Sequence, residues 1–354
     1  ASDVYKRQNT NIVHMYFKMN DFVLRHLHYG HFFIGKELNM AEEQTIMERL
    51  FRTLDDKAKS LNEENGQSFI ENLGLAMEDV YRNQRTLLEQ ATFQDRRKAF
   101  QFAYLSLLQE ENIQANHQIT PDSIGLILGF LVQKFTENNK ELQIVDIASG
   151  AGHLSATVNE VLKDSEVMHH LIEVDPVLSR VSVHLANFLE IPFDVYPQDA
   201  IMPLPLEEAD VVIGDFPIGY YPLDGRSKEM KLGFEEGHSY SHFLLIEQAV
   251  YALKQSGYAF LVVPSNIFED EHVKQLQNFI TTETEMQAFL NLPKTLFKNE
   301  NARKSILILQ KKKANETKPV EVLLANIPDF KNPNQFHGFI NELNEWMDAN
   351  HSQK

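Results

Sequence analysis

The sequence predicts an α/β chain: a mostly parallel sheet covered by helices on both faces, preceded by a helical region. Three observations predict it. Between residues 46 and 108, apolar residues recur at the three- and four-residue spacing of helices with one buried face. From Gln143 onward, short apolar runs alternate with helical patterns, an order that needs crossover connections between parallel strands. The first of these runs ends in a turn of small residues, Ala148-Ser149-Gly150-Ala151-Gly152, where backbone can approach a ligand closely.

The whole chain narrows the function classes. Its 354 residues are enough for one large domain or a main domain with a smaller companion, and 43% hydrophobic residues are ample for a core. With no cysteine, the chain has no disulfide, no thiolate metal site and no cysteine nucleophile. The 14 histidines are scattered without His-Glu-x-x-His spacing, so no metal site is predicted. No apolar run approaches the length of a membrane span and no cleavable leader opens the chain, so the expected location is cytoplasmic. A net charge of −17 argues against wrapping much duplex, because that needs cations to replace condensed counterions. The segment from Lys294 to Lys313 holds seven Lys or Arg against one Glu. It reads either as a solvated loop and strand edge or as a small basic groove.

Taken in order, residues 1–39 differ from the rest in being rich in His, Phe, Tyr and Met, with five basic and three acidic residues. They read as a non-native or weakly ordered extension; an extension packed on the surface is the alternative. Residues 40–115 read as a helical cap or small domain. Ile46, Leu50, Leu54, Ala58 and Leu61 share one helix face, Asn65-Gly66 interrupts, Phe69 to Val80 forms a second helix and Arg96 to Leu108 a third. Residues 116–330 hold the sheet. Thr120-Pro121-Asp122-Ser123 marks a helix start, with Thr120 as the cap and Pro121 at the first helical position, and the helix runs to Phe135. Strands follow at Gln143–Ile147, Val167–Glu173, Phe193–Tyr196, Ala209–Ile213 and Tyr258–Val263, with helices after His153 and Pro176. Met286–Leu292 and Ser305–Gln310 form a later antiparallel pair, and Val320–Leu324 adds an edge strand. Residues 331–354 carry a terminal helix near Phe336 to Met347 and a tail.

The strand Ile144-Val145-Asp146 ends in an acid just before the small-residue turn, and Glu173 stands at the end of the next strand, 27 residues on. A carboxylate there can accept hydrogen bonds from two ribose hydroxyls. A nicotinamide cofactor would need the same two features. Its fingerprint, however, has a third glycine, and here Gly150 and Gly152 are followed by His153-Leu154-Ser155. The arrangement resembles the first motif of S-adenosylmethionine-dependent methyltransferases, whose ligand has no pyrophosphate. The resemblance implies cofactor contacts from Asp146, Ala148, Gly150, Gly152 and Glu173, and from Asp199 in Gln198-Asp199-Ala200, near the adenine amino group. An Asx turn is the alternative reading of Asp199.

Ala209-Asp210-Val211-Val212-Ile213-Gly214-Asp215-Phe216-Pro217-Ile218-Gly219-Tyr220-Tyr221 resembles the fourth motif of the amino-methylating DNA methyltransferases. The likeness is to the adenine-N6 branch related to type I restriction modification subunits, and most of all to a YtxK-like group of bacterial class I methyltransferases. That family carries Asn, Asp or Ser, two prolines and an aromatic residue there; Asp215 and Pro217 match, while Phe216 and Ile218 depart. Thr120-Pro121, Leu261-Val262-Val263-Pro264, Leu292-Pro293, Phe297 and Ser305-Ile306-Leu307 extend the likeness over roughly residues 118–313.

It implies a Rossmann-like class I methyltransferase sheet, S-adenosyl-L-methionine as cofactor, Thr120 on the cofactor-lining helix and N6-adenine methylation of DNA or RNA. The catalytic set would be Asp215, Phe216 through its carbonyl, Pro217, Tyr220 and Tyr221, the tyrosines supplying the aromatic surface that Ile218 lacks. The glycine-containing stretch from Pro222 to His242 reads as a loop that closes over substrate, or as an ordinary mobile one. Two rival functions stand against methyl transfer: a catalytically inactive regulatory or protein-binding module that keeps the fold, and a nicotinamide-dependent oxidoreductase.

Overall fold

The computed structural model describes residues 44–110, 117–137, 139–269, 271–313 and 321–351. The expectation for residues 1–39 lies outside them, as does Val320 of the predicted edge strand. Gln44–Phe289 with Lys304–Val322 forms one compact unit, and Leu290–Arg303 with Leu323–Lys354 a second. No helix among the described residues is long and apolar enough to cross a membrane.

The larger unit begins with four helices, α1 (Ile46–Asn65), α2 (Phe69–Asn83), α3 (Arg85–Gln90) and α4 (Phe93–Leu107). Thr45 with Glu48 and Thr92 with Asp95 form reciprocal capping boxes that satisfy free amides at the starts of α1 and α4. Gly66, in the left-handed region at φ 67°, ends α1 at the predicted break.

Next come α5 (Asp122–Phe135), β1 (Glu141–Asp146), α6 (His153–Val161), β2 (Glu166–Ile172), α7 (Pro176–Leu189), β3 (Phe193–Tyr196) and β4 (Ala209–Asp215). After β4 the chain continues through α8 (Asp224–Ser227), α9 (Ser241–Tyr251), β5 (Leu253–Pro264), α10 (Val273–Glu283), β6 (Thr284–Asn291) and β7 (Lys304–Lys311). The sheet runs β3-β2-β1-β4-β5-β7-β6. β1 through β5 pair in parallel, and β7 pairs antiparallel with β5. This is the α/β Rossmann-like methyltransferase fold with an N-terminal helical region.

Leu50, Leu54, Leu73, Met77 and Phe100 of the first helices share one core with Leu178, Val181 and Leu185 of α7. Each such side chain contributes about 1.5–3 kcal/mol on burial, which ties the helical region to the sheet's helix layer. α5 packs against α6 through two glycines whose missing side chains leave room for side chains of α6. A Cβ on Gly125 would come within 2.8 Å of Thr157, and one on Gly129 within 2.9 Å of Val161.

Two local expectations are corrected. Thr120 does not cap α5: Pro121 takes the cap position, no side chain caps the helix, and the Thr120 hydroxyl is drawn instead to a carboxylate at the end of β4. The stretch from Pro222 to His242 is not an open flap. Met230, Leu232 and Phe234 are buried in the core, and Tyr220 pairs with Tyr240 in an antiparallel bridge.

In the smaller unit, β8 (Leu323–Asn326) lies where the edge strand is predicted, followed by α11 (Pro333–His351). Ile327 N–H donates to Asn291 O at 2.8 Å, and the Phe330 ring packs against Phe336 of the helix, which in turn meets Phe339.

Candidate active site

Parallel pairing brings the carboxyl ends of β1, β2, β3 and β4 side by side, the usual ligand edge of such a sheet. Asp146, the last residue of β1, is fully buried. Its Oδ2 accepts the Ser155 hydroxyl at 2.8 Å, while Oδ1 has no hydrogen-bond partner. Burial pushes the carboxyl up to about 7, against the pull of Ser155 and the Ala148 amide and with help from the nearby charges of Glu173 and Asp215.

The turn that follows passes through the left-handed region twice, at Gly150 (φ 54°) and Gly152 (φ 82°). A Cβ on Gly150 would meet nothing within 4 Å, so this part of the turn faces open space. At Gly152 a Cβ would stand 3.2–3.3 Å from Leu171, Ser182 and Phe193. One glycine clears room for a ligand and the other for the core. Ala148, half-buried, rests on the core between Asp146 and the turn. Gly150 N–H donates to Glu173 Oε2 and Asp175 N–H to Oε1, both at 2.8 Å, which fixes the carboxylate over the loop. Burial raises the Glu173 pKa and these two amides oppose the rise. Asp199, after β3, takes the Asx-turn alternative: Oδ1 accepts Ile201 N–H at 2.9 Å, and Oδ2 accepts the Tyr221 hydroxyl at 2.6 Å.

Asp215 closes β4 with both oxygens engaged. Thr120 Oγ1 donates to Oδ2 at 2.9 Å and Lys304 Nζ to Oδ1 at 2.5 Å. The same ammonium donates to the Phe216 carbonyl at 2.9 Å. The Phe216 ring is fully buried, and any side chain at Gly214 would collide with it, so the residue offers the site only its backbone. Pro217 and Ile218 are exposed. Tyr220 is exposed and stacks on Tyr240, ring centroids 5.0 Å apart. Tyr221 departs from the expectation of an acceptor-facing ring. It is buried in the core with its hydroxyl on Asp199, so it supports the β3 loop. Arg226 is held by Ile201 O and Glu229.

Two features escaped sequence reading. Lys304, 89 residues after Asp215, is one of seven cations in its stretch, with nothing local to single it out. A buried charge cluster braces the site from behind. Arg97 of α4, wholly buried, pairs with Asp122 at 2.8 Å and Glu160 at 2.5 Å, and Lys98 also pairs with Asp122. His153 Nε2 lies 3.0 Å from Asp122, and His153 Nδ1 lies 3.1 Å from Thr120 O. The cluster joins the residue that touches Asp215 to the first residue after the glycine turn.

The YtxK protein of Bacillus subtilis is 37% identical over 251 residues, 71% of this chain and 76% of its own length. A Listeria monocytogenes structure, provisionally assigned as a class I S-adenosylmethionine-dependent methyltransferase, matches with a TM-score of 0.78 at 34% identity, over 85% of this chain and 98% of its own. The methyltransferase subunit of a type I restriction-modification system from Streptococcus thermophilus shares the fold, with a TM-score of 0.55 at 14% identity over 87% of this chain and 76% of its own. The sequence profile of the N-6 DNA Methylase family matches residues 102–342, from α4 to α11, and on this span the chain belongs to the N-6 DNA methylase family.

Proposed function

We propose that the chain transfers the methyl group of S-adenosylmethionine to adenine N6 in nucleic acid. One observation carries the reading: the Asp215 carboxylate and the Phe216 carbonyl converge on a single amine nitrogen, Lys304 Nζ. Two acceptors so placed are what a primary amine with two N–H groups needs. Membership of the N-6 DNA methylase family supports the nucleic-acid class of acceptor, and exposed Tyr220 offers a base the π surface that Ile218 does not.

The residues fit the cofactor. Gly150 leaves open space for close approach and Glu173 is held over the same turn, suited to ribose hydroxyls. Asp199, held by Ile201 N–H and the Tyr221 hydroxyl, would border the adenine end. When bound, the cofactor supplies an electrophilic sulfonium methyl group. An exocyclic amine is a weak nucleophile because its lone pair delocalises into the ring. Hydrogen bonds to Asp215 and to Phe216 O would turn that lone pair out of conjugation, and the carboxylate would stabilise the positive charge developing on nitrogen. Pro217 brings a fixed φ and no competing N–H donor. Thr120, donating to Asp215 Oδ2, holds the carboxylate's orientation.

Single-turnover methyl transfer to adenine-containing DNA and RNA tests the reading. Asp215→Ala should lower the rate on the order of 100-fold, the usual scale for losing one transition-state contact. Asp215→Asn, which keeps an acceptor oxygen, should retain more. Cofactor affinity should change little in either variant. Near-wild-type transfer by folded Asp215→Ala would sink the assignment, and equal loss of cofactor binding would move Asp215 to the cofactor site.

A further inference from the structure

We propose that Lys304 is a resident occupant of the acceptor-amine subsite, which a substrate amine must displace, and that this competition selects acceptors carrying two N–H donors. The inference rests on reading Asp215 and Phe216 as that subsite. Lys304 opens β7 opposite Pro264 at the end of β5, which brings its side chain to the same sheet edge as Asp215. Its ammonium already makes both contacts proposed for the acceptor, to Asp215 Oδ1 and to Phe216 O. The other Asp215 oxygen is taken by Thr120. Two nitrogens cannot occupy one place, so an acceptor amine enters only as Nζ leaves.

The exchange sets a donor requirement. A primary amine replaces both of the contacts Lys304 gives up; a secondary amine replaces one and a tertiary amine none, and a half-buried acceptor left bare is penalised. A methylated product is therefore a weaker competitor than the amine that entered, and the returning lysine favours its release. Charge works in the same direction. The Asp215–Lys304 pair is formally neutral, and withdrawal of the ammonium leaves a carboxylate facing the nitrogen on which positive charge develops. A lysine suits this role because its charge rides on a long, flexible stem that releases a contact without moving the strand.

The test uses the full chain and three probes followed by ligand-observed magnetic resonance: ethylammonium, tetramethylammonium and 2′-deoxyadenosine. Lys304→Met should bind ethylammonium at least tenfold more tightly than wild type, with no comparable gain for tetramethylammonium, a cation without N–H donors. Equal ethylammonium binding by the two proteins overturns the proposal. So does an equal gain for tetramethylammonium, which would reveal only an unpaired charge. Where Lys304→Met loses cooperative unfolding, Lys304→Gln carries the same comparison, with the same outcomes. A gain for ethylammonium without one for 2′-deoxyadenosine keeps the role of Lys304 and removes adenine as the acceptor. Absence of both gains removes the role of Lys304 and leaves the adenine reading to the Asp215 transfer assay.

Discussion

Asp122 and Asp146 lie 24 residues apart, Asp146 fully buried and Asp122 largely so, yet they are held in opposite ways. Burial alone would raise both pKa values. At Asp122 the charges of Arg97, His153 and Lys98 outweigh it and leave the carboxyl well below its ordinary range. At Asp146 there is no cation: one hydroxyl and one amide oppose burial, and the carboxyl rises to about 7. The first aspartate is a clamp between helices α4, α5 and α6. The second is an under-satisfied acceptor on the edge where the cofactor is proposed to bind. Saturated bonding marks architecture here, and incomplete bonding marks the side prepared for a ligand.

The largest expected effect breaks the clamp. Arg97→Met keeps the length of the side chain but leaves Asp122 and Glu160 without their shared partner. Loss of one member of a buried ion cluster costs about 3–5 kcal/mol. Urea unfolding of the variant should show a loss of that size. A loss below about 1 kcal/mol would mean that Lys98 and His153 hold Asp122 unaided, and that Arg97 owes its burial to packing of its stem.

The next effect separates the aspartates by pH. The folded Asp146 pKa, about 7, lies above its ordinary 3.8, so between these values the folded state binds more protons than the unfolded one. Stability contributed by this group therefore falls as pH rises through the window. The penalty is fully present above about pH 7 and absent below 3.8. Three pKa units correspond to roughly 4 kcal/mol, an upper bound. Asp146→Asn keeps an acceptor for Ser155 without the charge, so it should exceed wild type in stability at pH 8 and approach it as pH falls to 4. Asp122 has the reverse sign: its depressed pKa contributes stability above 3.8 that is lost only as pH falls through the folded value. A difference curve between wild type and Asp146→Asn that rises toward low pH would overturn the account of Asp146.

What could be read in the sequence follows the same divide. The strands, the glycine turn, Glu173 and Asp215 were legible because period and turn chemistry are local: each signal spans a few residues and survives without its neighbours. Thr120 was misread as a helix cap because a threonine before proline satisfies that local rule equally well; its actual partner is 95 residues away. Tyr221 was placed beside Asp215 by adjacency, but the chain turns between them and buries its ring. Lys304 and Arg97 were missed because a cation inside a charged stretch shows no sign, in one dimension, of which carboxylate it will meet. Phe216 shows a departure from motif explained by packing: its ring fills space above Gly214, while the carbonyl is the group left at the site.

The smallest expected effect sets two glycines of one turn against each other. Gly150 and Gly152 both have positive φ, so alanine at either carries a strain of roughly 1–2 kcal/mol. Beyond that their surroundings differ. The alanine methyl at position 150 would project into open space, leaving the Gly150 N–H bond to Glu173 in place. At position 152 it would press on Leu171, Ser182 and Phe193, adding about 1–3 kcal/mol of overpacking. Gly152→Ala should therefore be the less stable protein, and Gly150→Ala the weaker binder of S-adenosylmethionine, by at least tenfold, despite its milder folding defect. Calorimetric affinities and thermal unfolding on both variants give the two rankings. If affinity instead follows stability in both, the space beside Gly150 is not where the cofactor lies, and the contrast between clamp and ligand edge must be drawn elsewhere in the molecule.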